Sequence, residues 1–345
     1  MADGPSTADD TRVVDHGTIA IVGAGSIGAA FALLFGLAGR EVRVYDRDAA
    51  MLAGVGERLR ARLAALRAFG LTNANDELVL GRVSTCAELK DAVGDAVYIQ
   101  ECAPEVLDIK RRLFADIDGF APPDAVIASA SSAIPASEFA AGLPGEARCL
   151  VVHPGNPPYL LRVVELVPAA FTSEATLTRA RVVVESAGLA PVLVRREVEG
   201  FVFNRLQGAL LREAYCLVRD GVADVADIDR IVRDGLGLRW SVVGPFETVD
   251  LNTRGGIEAH AKRLGPAYER MGAERGQHDP WTAPLVARVV DQRRALMPLD
   301  QWEARVEWRD RALMSVLAAR QRFEALEVAR NSAGVDRADA SDAGD

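Results

Sequence analysis

Ten residues, Ile19-Ala-Ile-Val-Gly23-Ala-Gly25-Ser26-Ile27-Gly28, constrain the fold more than any other stretch of the chain. A β-rich apolar run leads directly into G-x-G-x-x-G, and a helical pattern follows. In a strand–turn–helix unit the first glycine permits the turn. The second lets a pyrophosphate approach the backbone, and the third lets helix pack on strand. The helix N-terminus then offers unpaired N–H groups and a partial positive charge to phosphates. A second β-rich run ends at Tyr45-Asp46, 18 residues after Gly28. A carboxylate at that place takes the ribose 2′-hydroxyl and repels a 2′-phosphate. NAD is therefore expected over NADP, with Arg47 weakening the preference without reversing it. Gly23, Gly25, Ser26, Ile27, Gly28 and Asp46 are the expected cofactor positions. The plainer reading, a structural turn, explains the glycines but not the acid placed after the next strand.

The rest of the first half keeps the same rhythm. Glu41–Tyr45, Ala96–Gln100, Ala125–Ala128 and Cys149–Val152 read as further strands after Thr18–Val22, and Val192–Val194 as the last. Helix-period segments separate them, among them Ala49–Phe69, Pro104–Asp116 and Ser137–Leu143. This alternation predicts an α/β fold, a Rossmann-type doubly wound parallel sheet. Beyond it the pattern is wholly helical: 200–218, 225–235, 256–271, 284–297 and 301–328. The expected organisation is a disordered tail at 1–16, an NAD-binding domain at 17–195, a helical substrate and dimerisation domain at 196–330, and a second, acidic tail at 331–345.

Composition removes several function classes. The net charge is −9, which argues against a broad nucleic-acid surface. No apolar run reaches the roughly 18 residues of a membrane span, and the N-terminus lacks the basic and apolar regions of a signal peptide. Cys86, Cys102, Cys149 and Cys216 are far apart, without a C-x-x-C pair, and read as reduced, mostly buried thiols of a cytoplasmic protein. His260 and His278 have no second ligand at metal spacing, although Asp279 adjoins His278. They read as exposed or helix-surface residues, and no metal site is expected.

His153-Pro-Gly-Asn-Pro-Pro-Tyr159 follows the strand-like Cys149–Val152, with Glu165 twelve residues after the histidine. A histidine at a strand end is often only a hydrogen-bonded structural residue. The order of further motifs argues for more. Gln100-Glu-Cys-Ala-Pro-Glu105, Val164-Glu165-Leu-Val167, Gly200-Phe-Val-Phe-Asn204-Arg-Leu-Gln207, Gly235-Leu-Gly-Leu-Arg-Trp240, Gly244-Pro-Phe-Glu-Thr248 and Glu307-Trp-Arg-Asp310 succeed one another. In that order the chain resembles the 3-hydroxyacyl-CoA dehydrogenase superfamily, over roughly residues 17 to 325, and within it the lambda-crystallin or L-gulonate 3-dehydrogenase branch.

The resemblance implies roles. His153 is the catalytic base and Glu165 the carboxylate that orients it. Ser132 matches the substrate-binding serine, although Ala130 and Ser131 stand where the family has Asn and Thr. Asn204 matches the Asn of G-F-x-x-N-R. Glu105 and Lys110 match a carboxylate and a lysine near the nicotinamide ribose. Plainer readings exist: Ser132 as a helix N-cap, Asn204 as a helix cap or bridge, and Lys110-Arg-Arg112 as a solvated face.

Chemistry agrees with these roles. Oxidising an alcohol requires a proton acceptor near neutral pH, which imidazole is. A carboxylate on the other ring nitrogen fixes the tautomer, and Ser132 and Asn204 can donate to the substrate oxygen. The site is expected in a cleft between the domains, at the carboxyl ends of the strands. For the substrate, Arg58, Arg60, Arg62 and Arg67 suit either CoA phosphates or an exposed helix face. The His-Pro-Gly-Asn-Pro-Pro-Tyr form is closer to the lambda-crystallin branch and favours a short 3-hydroxyacid. Arg239 is the first candidate to grip its carboxylate and Arg162 the second. Gly-Leu-Arg-Trp240 also resembles carnitine dehydrogenases, where an aromatic ring would face a trimethylammonium group. A non-catalytic, crystallin-like NAD-binding protein is the reading from another class. The helical half's apolar content, together with the family, implies a homodimer.

Overall fold

The computed structural model describes residues 17–277 and 282–326, apart from 307, 310, 311, 313, 314, 317, 318 and 324. The two expected tails, His278, Asp279, Glu307 and Asp310 lie outside the described residues. The chain divides into two compact units, with the break after Arg212.

In the first unit the chain runs β1 (Thr18–Val22), α1 (Ser26–Leu37), β2 (Val42–Tyr45), α2 (Ala49–Ala53), α3 (Val55–Ala68), α4 (Asp76–Gly81) and β3 (Val83–Cys86). It continues through α5 (Leu89–Val93), β4 (Ala96–Glu101), α6 (Leu107–Phe120), β5 (Val126–Ser129) and α7 (Ala136–Phe139). Then follow β6 (Cys149–Pro154), β7 (Val163–Pro168), α8 (Glu174–Ser186) and β8 (Ala190–Leu193). The strands form one eight-stranded sheet in the order β3-β2-β1-β4-β5-β6-β7-β8. The order reverses between β1 and β4, the switch point at which such sheets bind ligands.

One strand pair departs from the parallel plan, and β3 is additional to the strands expected. β6 and β7 are an antiparallel pair, while the other paired strands run parallel. β3 is a strand that the hydropathy does not announce: Ser84 and Thr85 are exposed on this edge strand, so it carries no apolar run. The expected helix at 49–69 is two helices, meeting at Gly54. Asp48 caps the first by accepting the Ala50 N–H at 2.9 Å.

α1 is apolar on all sides, and Gly28 through Gly36 are buried. Phe31, Leu33 and Phe35 are fully shielded, each worth about 1.5–3 kcal/mol of burial. Of the four cysteines, which form no disulfide, only Cys149 is buried; the other three are half-buried, against the expectation of mostly buried thiols. Burial pushes the Cys149 thiol up to about 12.

α9 (Phe203–Arg219) spans the division between the units, so Asn204 belongs with the sheet. Among the described residues of the second unit follow α10 (Val225–Arg230), a π-helical turn (Ile231–Leu236), α11 (Gly237–Trp240), α12 (Pro245–Leu251), α13 (Gly256–Glu274) and α14 (Ala283–Leu296). The described residues of 302–326 are helical as well. The buried apolar cluster here is small, formed by Val243, Leu251 and Met297. Asp250 adds a polar centre, accepting the Ile257 N–H and facing Arg293 and Arg294. His260, expected at the surface, is only 5% exposed. It falls on the inward face of α13 with Ile257 and Ala261, where Thr253 Oγ1 lies 3.4 Å from its Nδ1.

Candidate active site

The glycine turn has the geometry its spacing demands. Gly23 has φ +110°, and a Cβ there would sit 2.7 Å from the Cys102 carbonyl oxygen. A Cβ on Gly28 would meet the Gly23 carbonyl at 1.8 Å, so only glycine lets α1 start this close to β1. Around Gly25 the space is open, which leaves room for a ligand against the backbone. Asp46 is fastened beside the turn: its Oδ2 accepts the Ala24 N–H at 2.7 Å and its Oδ1 the Asp48 N–H at 2.9 Å. Gly23, Gly25, Asp46, Arg47, Met51 and Pro104 help to line a cavity of about 610 Å³. No side chain caps the N-terminus of α1. An open backbone, an uncapped helix start and a carboxylate at the end of β2 fit a dinucleotide.

The second site is built by the β6–β7 hairpin. His153 and Glu165 are direct cross-strand partners, and such neighbours share one face of the sheet. Nδ1 of His153 lies 2.7 Å from Oε2 of Glu165. Oε1 of Glu165 accepts the N–H groups of Val202 and Phe203 at 2.8 and 3.0 Å. Those two groups face it because Gly200 and Phe201 are both left-handed, at φ +73° and +49°. For a phenylalanine that costs on the order of 1–2 kcal/mol. The sequence reading takes only Asn204 from this motif; the glycine before Phe201 is the signal that would have exposed the turn.

Both members of the pair are buried, His153 at 6% and Glu165 at 3% exposure. Burial pushes the Glu165 carboxyl up. The hydrogen bonds from His153, Phe203 and Val202 outweigh that and hold it below the usual carboxylate range. An ionised carboxylate only accepts, so Nδ1 carries the proton and the Nε2 lone pair is left for chemistry. The rings of Phe201 and Phe203 flank the imidazole at 5.7 and 6.2 Å. Ile27, Ser132, Asn156, Leu161 and Asn204 join His153 in lining a cavity of about 370 Å³. Asn204 donates from Nδ2 to the Ser132 carbonyl at 2.9 Å, leaving one amide hydrogen for another partner.

Ser132 does not cap α7; that position is Pro135. Its backbone N–H, with those of Ala133 and Ile134, donates to the Glu105 carboxylate at 3.2 Å. The Ser131 hydroxyl also bonds Glu105 and takes the Ile134 N–H at 2.9 Å, so serine supplies the hydroxyl that the family's Thr would bring. Burial works against it, but these bonds and the nearby Lys110 leave the Glu105 carboxyl below its ordinary range. Glu105 thus turns onto the serine segment, and neither it nor Lys110 lines the cofactor cavity.

Lys110 is no solvated residue either. At 1% exposure its ammonium lies 2.8 Å from Glu101 Oε2 and 3.2 Å from Ser129 Oγ. Glu101 is the partner that the sequence reading missed; Lys110, Phe114 and Ile117 share the inward face of α6, and that spacing was the signal. Arg162 is not brought to the histidine cavity. Its Nη1 donates to the Ala187 carbonyl at 3.4 Å, at the end of α8. Arg239 lies on α11 in the second unit, its Nε shielded and without a hydrogen-bond partner.

Comparisons with known proteins match both parts of the chain to one family. Residues 18–198 match the family described as 3-hydroxyacyl-CoA dehydrogenase, NAD binding domain, and residues 200–297 match its C-terminal domain. Lambda-crystallin of Oryctolagus cuniculus is 35% identical over 89% of this chain and 98% of its own length. An L-carnitine dehydrogenase of Pseudomonas aeruginosa is 38% identical over 89% of this chain and 95% of its own. The structure of (S)-3-hydroxybutyryl-CoA dehydrogenase from Ralstonia eutropha superposes with TM-score 0.60 at 26% identity, covering 73% of this chain and 87% of that one. With both domains matched in order, the glycine turn belongs to an NAD-binding domain, and the chain belongs to the 3-hydroxyacyl-CoA dehydrogenase family of NAD-dependent dehydrogenases.

Proposed function

We propose that the protein uses NAD to oxidise the 3-hydroxyl of a short L-3-hydroxyacid to the 3-keto acid, with L-gulonate the foremost substrate. The observation that carries this reading is the buried His153–Glu165 pair opening onto a small cavity beside Ser132 and Asn204. Ligand pockets span roughly 300–1,000 Å³, and this one is at the small end. Three of the four arginines offered for CoA phosphates are engaged within the protein, which supports a free acid over a CoA ester: Arg58 and Arg62 turn onto backbone carbonyls, and Arg67 pairs with Asp76.

NAD, when bound, supplies the hydride acceptor for the carbinol carbon. Nε2 of His153 takes the hydroxyl proton as the C–O bond becomes a carbonyl. Glu165 holds the ring and stabilises the imidazolium, a role the fixed Val202 and Phe203 N–H groups keep in register. Ser132 Oγ and the remaining Asn204 amide hydrogen donate to the substrate oxygen. Asp46 takes the ribose hydroxyls, and the α1 N-terminus the diphosphate. His153 then releases its proton to solvent, closing the cycle.

L-carnitine is the second reading, supported by the Pseudomonas relative and by Trp240, which remains 39% exposed. The working form is a homodimer in the cytoplasm. Support for the dimer comes from α9, which has no buried residue and exposes Leu211, Tyr215 and Val218 at helical spacing. No helix among the described residues is long and apolar enough to cross a membrane. The test follows NADH absorbance with L-gulonate, L-3-hydroxybutyrate, L-carnitine and a 3-hydroxyacyl-CoA. Turnover of a free acid is expected. Turnover of the CoA ester alone, or tight NADH binding with no turnover, overturns the reading. Light scattering at micromolar concentration should give twice the chain mass; a monomer overturns the dimer.

A further inference from the structure

Lys110, Glu101 and Ser129 form a buried polar cluster that the proposed mechanism does not use, with exposures of 1%, 0% and 0%. The Lys110 ammonium donates to Glu101 Oε1 and Oε2 at 3.1 and 2.8 Å and to Ser129 Oγ at 3.2 Å, which uses all its protons. Each Glu101 oxygen has a second donor. The Ala103 N–H reaches Oε1 at 2.7 Å, and the Ser129 hydroxyl reaches Oε2 at 2.5 Å. Ser129 Oγ in turn accepts the Ser131 N–H at 3.1 Å. A buried network satisfied throughout is stiff. Stability does not account for it, because well-packed apolar residues in place of a buried ion pair often leave a fold as stable or more so.

The backbone groups that the cluster holds say what it does. Glu101 closes β4 and Ser129 closes β5, and the two residues are paired in register. Ala103 and Pro104, just past β4, line the cofactor cavity. Ala130 and Ser132, just past β5, line the His153 cavity. The cluster fixes the Ala103 N–H on the first segment and the Ser131 N–H on the second, and the Glu101 carbonyl takes the Ala130 N–H at 2.8 Å. None of Lys110, Glu101 and Ser129 lines either cavity, so the cluster reaches both through the backbone alone. We propose that Lys110 and Glu101, acting through Ser129, are positioning residues that hold the wall of the cofactor cavity and the serine turn in one register. The inference rests on the reading of Ser132 as a substrate contact. It gives Lys110, expected beside the nicotinamide ribose, a role without cofactor contact. An ammonium suits that role, since its separate donors join both oxygens of one strand end to the hydroxyl of the next. A shift of about 1 Å in a positioned group is enough to cost about a hundredfold in rate.

The test compares wild type with Lys110→Met, with Lys110→Met combined with Glu101→Leu, and with Ser129→Ala. Each whole protein is followed by urea unfolding, by NADH fluorescence titration and by NADH formation from the best substrate of the panel. Lys110→Met alone strands a buried charge, and its unfolding midpoint is expected to fall. Adding Glu101→Leu removes that charge, and the midpoint is expected to return most of the way. In this double variant NADH affinity is nevertheless expected to fall about tenfold and kcat about a hundredfold, because neither segment is held. Ser129→Ala keeps both charges and, of the held backbone groups, releases the Ser131 N–H alone. Its kcat is expected to fall about tenfold while NADH affinity stays within about twofold. A double variant with wild-type NADH affinity and kcat overturns the proposal, as does a Ser129→Ala protein with the wild-type rate. Should the double variant stay unfolded, the kcat of Ser129→Ala decides. If no substrate turns over, the hydroxyacid reading falls. The double variant's NADH affinity then decides the proposal: a loss at a restored midpoint upholds it, and an unchanged value overturns it.

Discussion

Glu165 and Glu105 are each held by successive backbone N–H groups from a turn distant in sequence, Val202–Phe203 for the first and Ser132–Ile134 for the second. Both carboxyls are held below their ordinary range. They differ in solvent. Glu165 is buried on the hairpin, whereas Glu105 is exposed to water. They differ also in what their remaining capacity serves. Glu165 spends an oxygen on His153, while Glu105 spends its own on the Ser131 hydroxyl. The same backbone device thus holds a carboxylate on a titratable ring where it is dry, the orienting role proposed for Glu165. Where it is wet and bonded to a hydroxyl, it yields a loop anchor.

That contrast can be broken by substitution. Glu165→Gln keeps the shape but removes the charge and favours the wrong histidine tautomer. It should lower kcat by about a thousandfold, or about 4 kcal/mol of barrier, with NADH affinity unchanged; a loss below about tenfold would put Glu165 on a level with Glu105. Lys110→Met strands the buried Glu101 carboxylate. Breaking such a pair costs about 3–5 kcal/mol, which urea unfolding should register as a lower midpoint at unchanged slope. Glu105→Gln keeps most of the loop contacts and should reduce kcat/KM only several-fold, about 1 kcal/mol, without moving the pH profile of the rate.

The smallest expected effect is on acid stability. A carboxyl whose folded pKa is depressed stabilises the fold above its ordinary pKa of roughly 4.3, and that contribution is lost as pH falls through the folded value. Circular dichroism between about pH 5 and 2 should therefore show a shallower acid loss in both Gln variants than in wild type. The change should be larger for Glu165→Gln, because water screens Glu105.

Much of this contrast is legible in the sequence, and the remainder has physical reasons for being hidden. β1 is found at the limits its apolar run gives, and the twelve residues from His153 to Glu165 match a hairpin that places them face to face. The glycine spacing carries its own steric logic, which the Cβ clashes at Gly23 and Gly28 express. β3 escapes notice because an exposed edge strand needs no apolar run. Lys110 misleads because two arginines follow it, although its spacing from Phe114 and Ile117 places it inside. Arg162 misleads in the opposite way: sitting beside the motif, it satisfies a helix end instead of the cavity. Local composition cannot show where a long cationic side chain ends.

The most direct measurement compares His153→Ala with wild type in NADH formation from the best substrate of the panel, with NADH affinity read by fluorescence in both. The account predicts that kcat falls by at least about a thousandfold while NADH affinity changes little. A variant that keeps its rate but loses stability would make His153 a structural residue of the hairpin and contradict the account.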